Sequence, residues 1–298
     1  MAISLLDLLK HRTVLLDGAM GTELMKAGLG QGECPDAWNI DKPKVVQEVQ
    51  RRYFEAGSDA VVTNTFGANP IKLAAYGLER RCREFNLAGA RLALGVRPEG
   101  RSVGGDIGPT GKFLKPMGEY EEPQFEEAFF VQAAALAEGG VDFLIIETMY
   151  DLREALCAVK ACRRASSLPV FASLTFSRTP RGFFTLMGDS PSKGLKALEQ
   201  EGAAAVGANC TLDSEAMVEL VKIMRPETKL PLIAQPNAGQ PDVLGGKETT
   251  YSQDREDFIQ HLLRIVECGA QVVGGCCGSD PQAIRRLAKA IKKDLFNF

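Results

Sequence analysis

The chain has 298 residues, 45% of them hydrophobic and 24% charged, with a formal charge of −3. This composition excludes intrinsic disorder and low-complexity architectures, and no basic stripe is present that would suit nucleic acid; Lys289, Lys292 and Lys293 read as a solvated last helical turn. No stretch reaches the roughly 18 apolar residues of a membrane span, and 1–4 lack a basic segment leading into an apolar one, so no membrane partner and a cytoplasmic location are expected.

Leu5, Leu6, Leu8 and Leu9 begin the chain as a short apolar helix, expected to plug the N-terminal mouth of what the strands build. Eight β-rich runs follow, at 13–16, 59–64, 102–105, 142–146, 169–174, 203–208, 230–234 and 270–274. Between and after them lie helix-period segments at 44–56, 84–94, 122–138, 152–164, 192–201, 214–224, 255–267 and 281–293, each amphipathic at i, i+3, i+4 spacing. Eight β-then-α units imply parallel strands buried on both faces. Closure into a (β/α)₈ TIM barrel, an α/β fold, leaves no sheet edge. No linker divides the chain, so 1–298 is expected to form a single barrel domain. The longer connections, 28–43, 108–122, 177–191 and 236–253, all follow strands and are expected to form the rim of the active face.

The residues just past the strands are Asp17, Thr65, Asp106, Glu147, Thr175, Cys210, Gln235 and Cys276. In a barrel they converge on the carboxyl-end mouth. Taken singly, Thr65, Thr175 and Gln235 read equally well as strand ends meeting solvent. The three thiols of Cys210, Cys276 and Cys277 are more specific: Asn209-Cys210 ends one apolar run and Gly274-Gly275-Cys276-Cys277-Gly278 ends another. Thiolates are soft ligands that favour zinc, and three protein ligands leave a position open for substrate. A zinc held by three thiolates is a poor activator of carbonyls but binds a substrate thiol as its anion, so thiol alkylation is favoured over hydrolysis. Cys34, Cys82, Cys157, Cys162 and Cys268 read as small hydrophobes. His11 and His261 fall at a helix end and inside a helix, away from the rim, and Trp38 reads as a loop anchor or a cation–π surface.

The first strand runs into Asp17-Gly18-Ala19-Met20-Gly21, a turn opening a helix whose free N–H groups suit a carboxylate, although a tight βα connection explains it as well. Asp17 and Glu147 offer negative charge to an ammonium. The mouth therefore suits a zwitterionic amino acid bearing a thiol.

Several segments carry a resemblance. Leu16-Asp17-Gly18-Ala19-Met20-Gly21-Thr22-Glu23, Thr63-Asn64-Thr65-Phe66-Gly67, Gly105-Asp106-Ile107-Gly108-Pro109, Glu147-Thr148, Gly207-Ala208-Asn209-Cys210, Pro236-Asn237-Ala238-Gly239 and Gly275-Cys276-Cys277-Gly278 look like the homocysteine S-methyltransferase family, nearest the homocysteine-binding domain of cobalamin-dependent methionine synthase. The resemblance spans essentially the whole chain in order. It implies a (β/α)₈ barrel, a zinc ion on Cys210, Cys276 and Cys277, and methyl transfer to the homocysteine sulfur to give methionine. It also implies an amino-acid pocket on Asp17, Gly18, Ala19 and Met20, with Glu147 facing the ammonium. For Asn237 two readings stand: by resemblance a fourth zinc ligand displaced by the substrate thiol, or a loop-capping Asn after Pro236.

Nothing beyond the eighth helix is expected to hold a corrinoid, and neither histidine sits in an Asp-x-His-x-x-Gly motif, since Leu9 and Ile259 occupy the relevant positions. Methylcobalamin is therefore expected only through a partner corrinoid protein or module. Betaine, S-methylmethionine and S-adenosylmethionine stand as alternative donors, and another thiol or selenol amino acid as an alternative acceptor. A redox or iron–sulfur protein is the remaining class, disfavoured because the cysteines lack Cys-x-x-Cys clustering.

Overall fold

The computed structural model describes residues 5–244, 248–251 and 253–294. Residues 1–4, part of the anticipated rim connection at 236–253 and the end of the chain beyond the last helix lie outside the described residues. Eight parallel strands alternate with eight helices, and every expected run forms its element. The strands are β1 (Val14–Leu15), β2 (Ala60–Val62), β3 (Ser102–Ile107), β4 (Phe143–Met149), β5 (Val170–Leu174), β6 (Ala205–Asp213), β7 (Leu232–Asn237) and β8 (Val272–Val273). The helices are α1 (Pro43–Ala56), α2 (Cys82–Gly95), α3 (Glu122–Glu138), α4 (Leu152–Ala165), α5 (Pro191–Glu201), α6 (Ser214–Met224), α7 (Arg255–Glu267) and α8 (Pro281–Asp294).

Hydrogen-bonded neighbours run β1-β8-β7-β6-β5-β4-β3-β2, all parallel. The seam between β1 and β2 is closed by an aspartate. Asp59 N donates to Leu15 O at 2.7 Å, and Leu15 N donates back to Asp59 Oδ2 at 3.0 Å. Arg12 and Arg101 both grip the same carboxylate, and Val62 N donates across the seam to Asp17 Oδ2 at 2.8 Å. The result is the (β/α)₈ TIM barrel.

Alternation along each strand sorts its side chains. Leu15, Val61, Val103, Leu144, Ile146, Val206 and Leu232 face outward and pack with the helices in the larger core. Val14, Leu16, Ala60, Val62, Phe143, Ile145, Phe171, Ala205, Ile233 and Val272 fill the barrel interior. The helix Leu5–Leu9 buries Leu5 and Leu9 in that interior cluster, so the expected N-terminal plug is present. Higher up, the inward positions turn polar: Asp106, Glu147, Asn209, Gln235 and Cys276 continue the inward registers of β3, β4, β6, β7 and β8. The interior is apolar at the plugged end and polar at the mouth.

The elements depart from expectation at two strand ends and in two rim connections. The runs anticipated to stop at 146 and 208 continue as β4 and β6 to Met149 and Asp213, each through a register shift against its neighbour. The helix expected to open at the Asp17–Gly21 turn is present as Met20–Lys26. Two rim connections are not plain loops but contain hairpins, Ser177–Thr179 with Gly182–Phe184 and Pro241–Leu244 with Glu248–Tyr251.

Candidate metal and substrate site

Cys210, Cys276 and Cys277 meet at the mouth, their sulfurs all within 4.8 Å of one another, and Cys210 Sγ lies 3.9 Å from Cys277 Sγ. Among the described residues this is the group with metal-ligand geometry. Two of the thiols lie on the turn after β8, which is laced to its neighbours: Cys276 N donates to Pro236 O at 2.8 Å, Ala238 N to Cys277 O at 2.9 Å, and Gly275 N to Asp17 O at 3.0 Å. Gly278 turns the chain away at φ 80°, and a Cβ there would lie 2.3 Å from Cγ of Tyr251, whose ring covers it. Only glycine fits.

Cys210 arrives differently. It sits at the shift in β6 with φ 59°, followed by Thr211 at φ 60°, a conformation costly for a β-branched residue. Such bulges re-aim a side chain, here bringing the Cys210 sulfur towards the β8 turn. The preceding Asn209 holds the bulge: its Oδ1 accepts from Thr148 N and from Ser173 Oγ, both at 2.7 Å, and its Nδ2 donates to Thr148 Oγ1 at 2.8 Å. Thr148, itself at φ 60°, directly follows Glu147. One amide therefore ties the strand carrying a thiol to the strand carrying a carboxyl.

Hydrogen bonds from Cys210 and then Cys276, assisted by Tyr251, lower the Cys277 thiol to about 3. Donating to Cys210 and Cys277 while buried holds Cys276 well above the usual thiol range. A divalent cation held by all three sulfurs would displace their thiol protons. The donor set fits a soft metal, and buried Asn237 Oδ1, at the end of β7, has no hydrogen-bond partner among the described residues.

The other half of the mouth is acidic. Burial, against a hydrogen bond from Val62 N and aided by Glu147, raises Asp17 to about 8; burial and then Cys277 raise Glu147 to about 7. Asp106 is pushed well up by burial, then by Glu147 and Asp17. Beside them the 18–20 turn is fixed from beneath: Ala19 N donates to Ser279 Oγ at 3.2 Å, and Tyr53 Oη donates to Ala19 O at 3.2 Å. No side chain caps the helix at Met20.

The remaining rim residues divide. Thr65 Oγ1 is committed to Asp106 O at 2.8 Å, whereas buried Gln235 Oε1 lacks a partner among the described residues. His261 Nδ1 contacts Ser214 Oγ at 2.9 Å and is no part of the sulfur cluster. Trp38 is buried, donates from Nε1 to Glu33 at 3.0 Å and carries Lys42 Nζ 3.8 Å over its ring, so it anchors its loop. Tyr251 and the bracing role of Asn209 were not anticipated. The signal for Asn209 was its inward register immediately before Cys210, whereas Tyr251 reaches the cluster through a hairpin that leaves no local trace.

The fold and the mouth together define a (β/α)₈ barrel with a thiol-lined site at the carboxyl ends of its strands. The chain belongs to the homocysteine S-methyltransferase family, whose model matches residues 14–291. It is 35% identical over 96% of its length to methionine synthase of Mycobacterium tuberculosis and 34% identical over 97% to that of Mycobacterium leprae. It spans about a quarter of those relatives, 25% of each. Its fold matches the metallated form of the homocysteine methyltransferase MmuM from Escherichia coli with a TM-score of 0.76, at 23% identity over 95% of this chain and 98% of that one.

Proposed function

We propose that this chain transfers a methyl group to the thiolate of homocysteine, giving methionine, with zinc held by Cys210, Cys276 and Cys277 and methylcobalamin on a partner corrinoid protein or module as donor. The observation carrying this reading is the approach of three sulfurs from two separate strand ends to within 4.8 Å. Family membership supports the acceptor, and the likeness to methionine synthases, of which the chain spans a quarter, supports the donor.

When bound, zinc supplies the positive charge that keeps the acceptor sulfur ionised near neutrality, where a free thiol with pKa of about 8.5 is mostly protonated. The residues supply position. Asn237 Oδ1, buried without a partner among the described residues, would be the fourth donor, giving way to the incoming sulfur. Asp17 and Glu147 take the α-ammonium, and the Gly18-Ala19-Met20 turn takes the carboxylate through its backbone; because Ala19 N already serves Ser279, Gly18 and Met20 are the amides assigned to it. The C–S bond forms as the donor–methyl bond breaks, and the electron pair of the latter stays with the donor.

Methionine formation by the zinc-loaded chain from homocysteine and methylcobalamin, compared with betaine, S-methylmethionine and S-adenosylmethionine, tests the reading. Turnover with methylcobalamin alone is expected; turnover with another donor reassigns the donor, and none with any donor contradicts the proposal.

A further inference from the structure

We propose that Asp106 is an additional specificity-determining residue, a third carboxyl of the mouth that receives the α-ammonium of the acceptor and lets the site reject thiols lacking that charge. The inference rests on the homocysteine reading above and adds a residue to it.

Asp106 lies on β3, in the same inward register as Gly104, where a Cβ would lie 2.5 Å from the ring of Phe143 in the barrel interior. It is 5% exposed, and its Oδ1 has no hydrogen-bond partner among the described residues. Its surroundings do not serve the carboxyl. Thr63 Oγ1 accepts from Asp106 N at 3.0 Å, while Thr65 Oγ1 donates to Asp106 O at 2.8 Å and Gln132 Nε2 to the same oxygen at 3.3 Å. The backbone is clamped by three side chains, whereas the carboxyl projects inward with an oxygen unmet. A buried polar group in that condition costs stability unless a ligand satisfies it, and a rigid backbone with a free functional group suits a binding residue.

The ligand class follows from the layout. Asp17 follows β1, and Asp106 and Glu147 stand on β3 and β4, whereas the thiols come from β6 and the turn after β8. The neighbouring strands bring the three carboxyls to one side of the mouth: Asp106 pairs with Ile145, two residues before Glu147, and Asp17 Oδ2 accepts from Val62 N, whose residue pairs with Gly104 of β3. Acid on one side and thiols on the other match a small molecule with a cation at one end and a sulfhydryl at the other. A single ammonium offers three donors, and partial neutralisation by it relieves the mutual repulsion of the carboxyls.

The test is equilibrium calorimetry on the zinc-loaded chain with homocysteine and with 4-mercaptobutanoate, which keeps the thiol and carboxylate and lacks the amine. Asp106→Asn is expected to weaken homocysteine binding about 10- to 100-fold and leave 4-mercaptobutanoate unchanged, because one charge-assisted contact is lost. Asp106→Ser should repeat this pattern, and unchanged zinc content and melting temperature mark either variant as folded. Equal losses for both ligands, or none for either, would overturn the assignment while leaving the homocysteine reading intact. Failure of the unaltered chain to bind homocysteine would overturn both. If both variants fail to fold, Asp106 is a structural residue and the assignment is wrong.

Discussion

At the scale of single residues, strain and bracing explain how the thiols meet. Thr148, Cys210 and Thr211 all adopt left-handed φ, each expected to cost on the order of 1–3 kcal/mol, and Asn209 spans the gap between the first two. Asn209→Ala removes an amide engaged three times with Thr148 and Ser173 and should lower unfolding stability by about 2 kcal/mol, measured by urea denaturation. Unchanged stability would show that the bulges hold themselves. Tyr251→Phe keeps the ring over Gly278 and deletes the hydroxyl that helps to hold Cys277 ionised. An ultraviolet thiolate titration of the metal-free variant should therefore find the Cys277 transition at higher pH, and an unmoved transition would remove Tyr251 from the site.

At the scale of elements, the eight strands and eight helices were legible because hydrophobic period and turn residues mark buried parallel strands and amphipathic helices directly. The bulges were not. Runs of apolar residues end near 146 and 208, so Glu147 and Cys210 read as loop residues, whereas backbone pairing continues past them to Met149 and Asp213. That continuation depends on neighbours distant in sequence. The seam shows the same limit: Asp59 closes the barrel by bonding β1 and two arginines, a role no local pattern predicts. Asp59→Ala leaves Arg12 and Arg101 without their shared carboxylate and opens the seam, and should cost about 3 kcal/mol in thermal or chemical unfolding. A loss below about 0.5 kcal/mol, the size of an ordinary surface substitution, would show that backbone pairing alone closes the barrel.

At the scale of the whole molecule, the chain concentrates buried carboxyls around one mouth and its supporting loops. Asp36 is raised to about 6, Glu154 to about 7 and Asp17 to about 8, burial being the largest cause in each. Folded values above the unfolded ones mean that the native state binds more protons in this window, so stability is greatest below about pH 4 for these groups and declines as pH rises through 6, 7 and 8. Glu154, which accepts from Thr110 N and Oγ1 at 2.7 Å, is the cleanest probe because it lies outside the sulfur cluster. Glu154→Gln should flatten the decline near pH 7 in a melting-temperature profile of the metal-free chain; an unchanged profile would mean that Glu154 titrates as an ordinary carboxylate. The sulfur trio was legible in the two cysteine motifs, while its acidic counterpart emerged fully only when β1, β3 and β4 came together. X-ray absorption at the zinc edge of the loaded chain tests the central claim most directly. The account predicts three sulfur scatterers at about 2.3 Å with one lighter ligand, becoming four sulfurs when homocysteine is added. Fewer than three sulfurs, or a first shell unmoved by homocysteine, would contradict it.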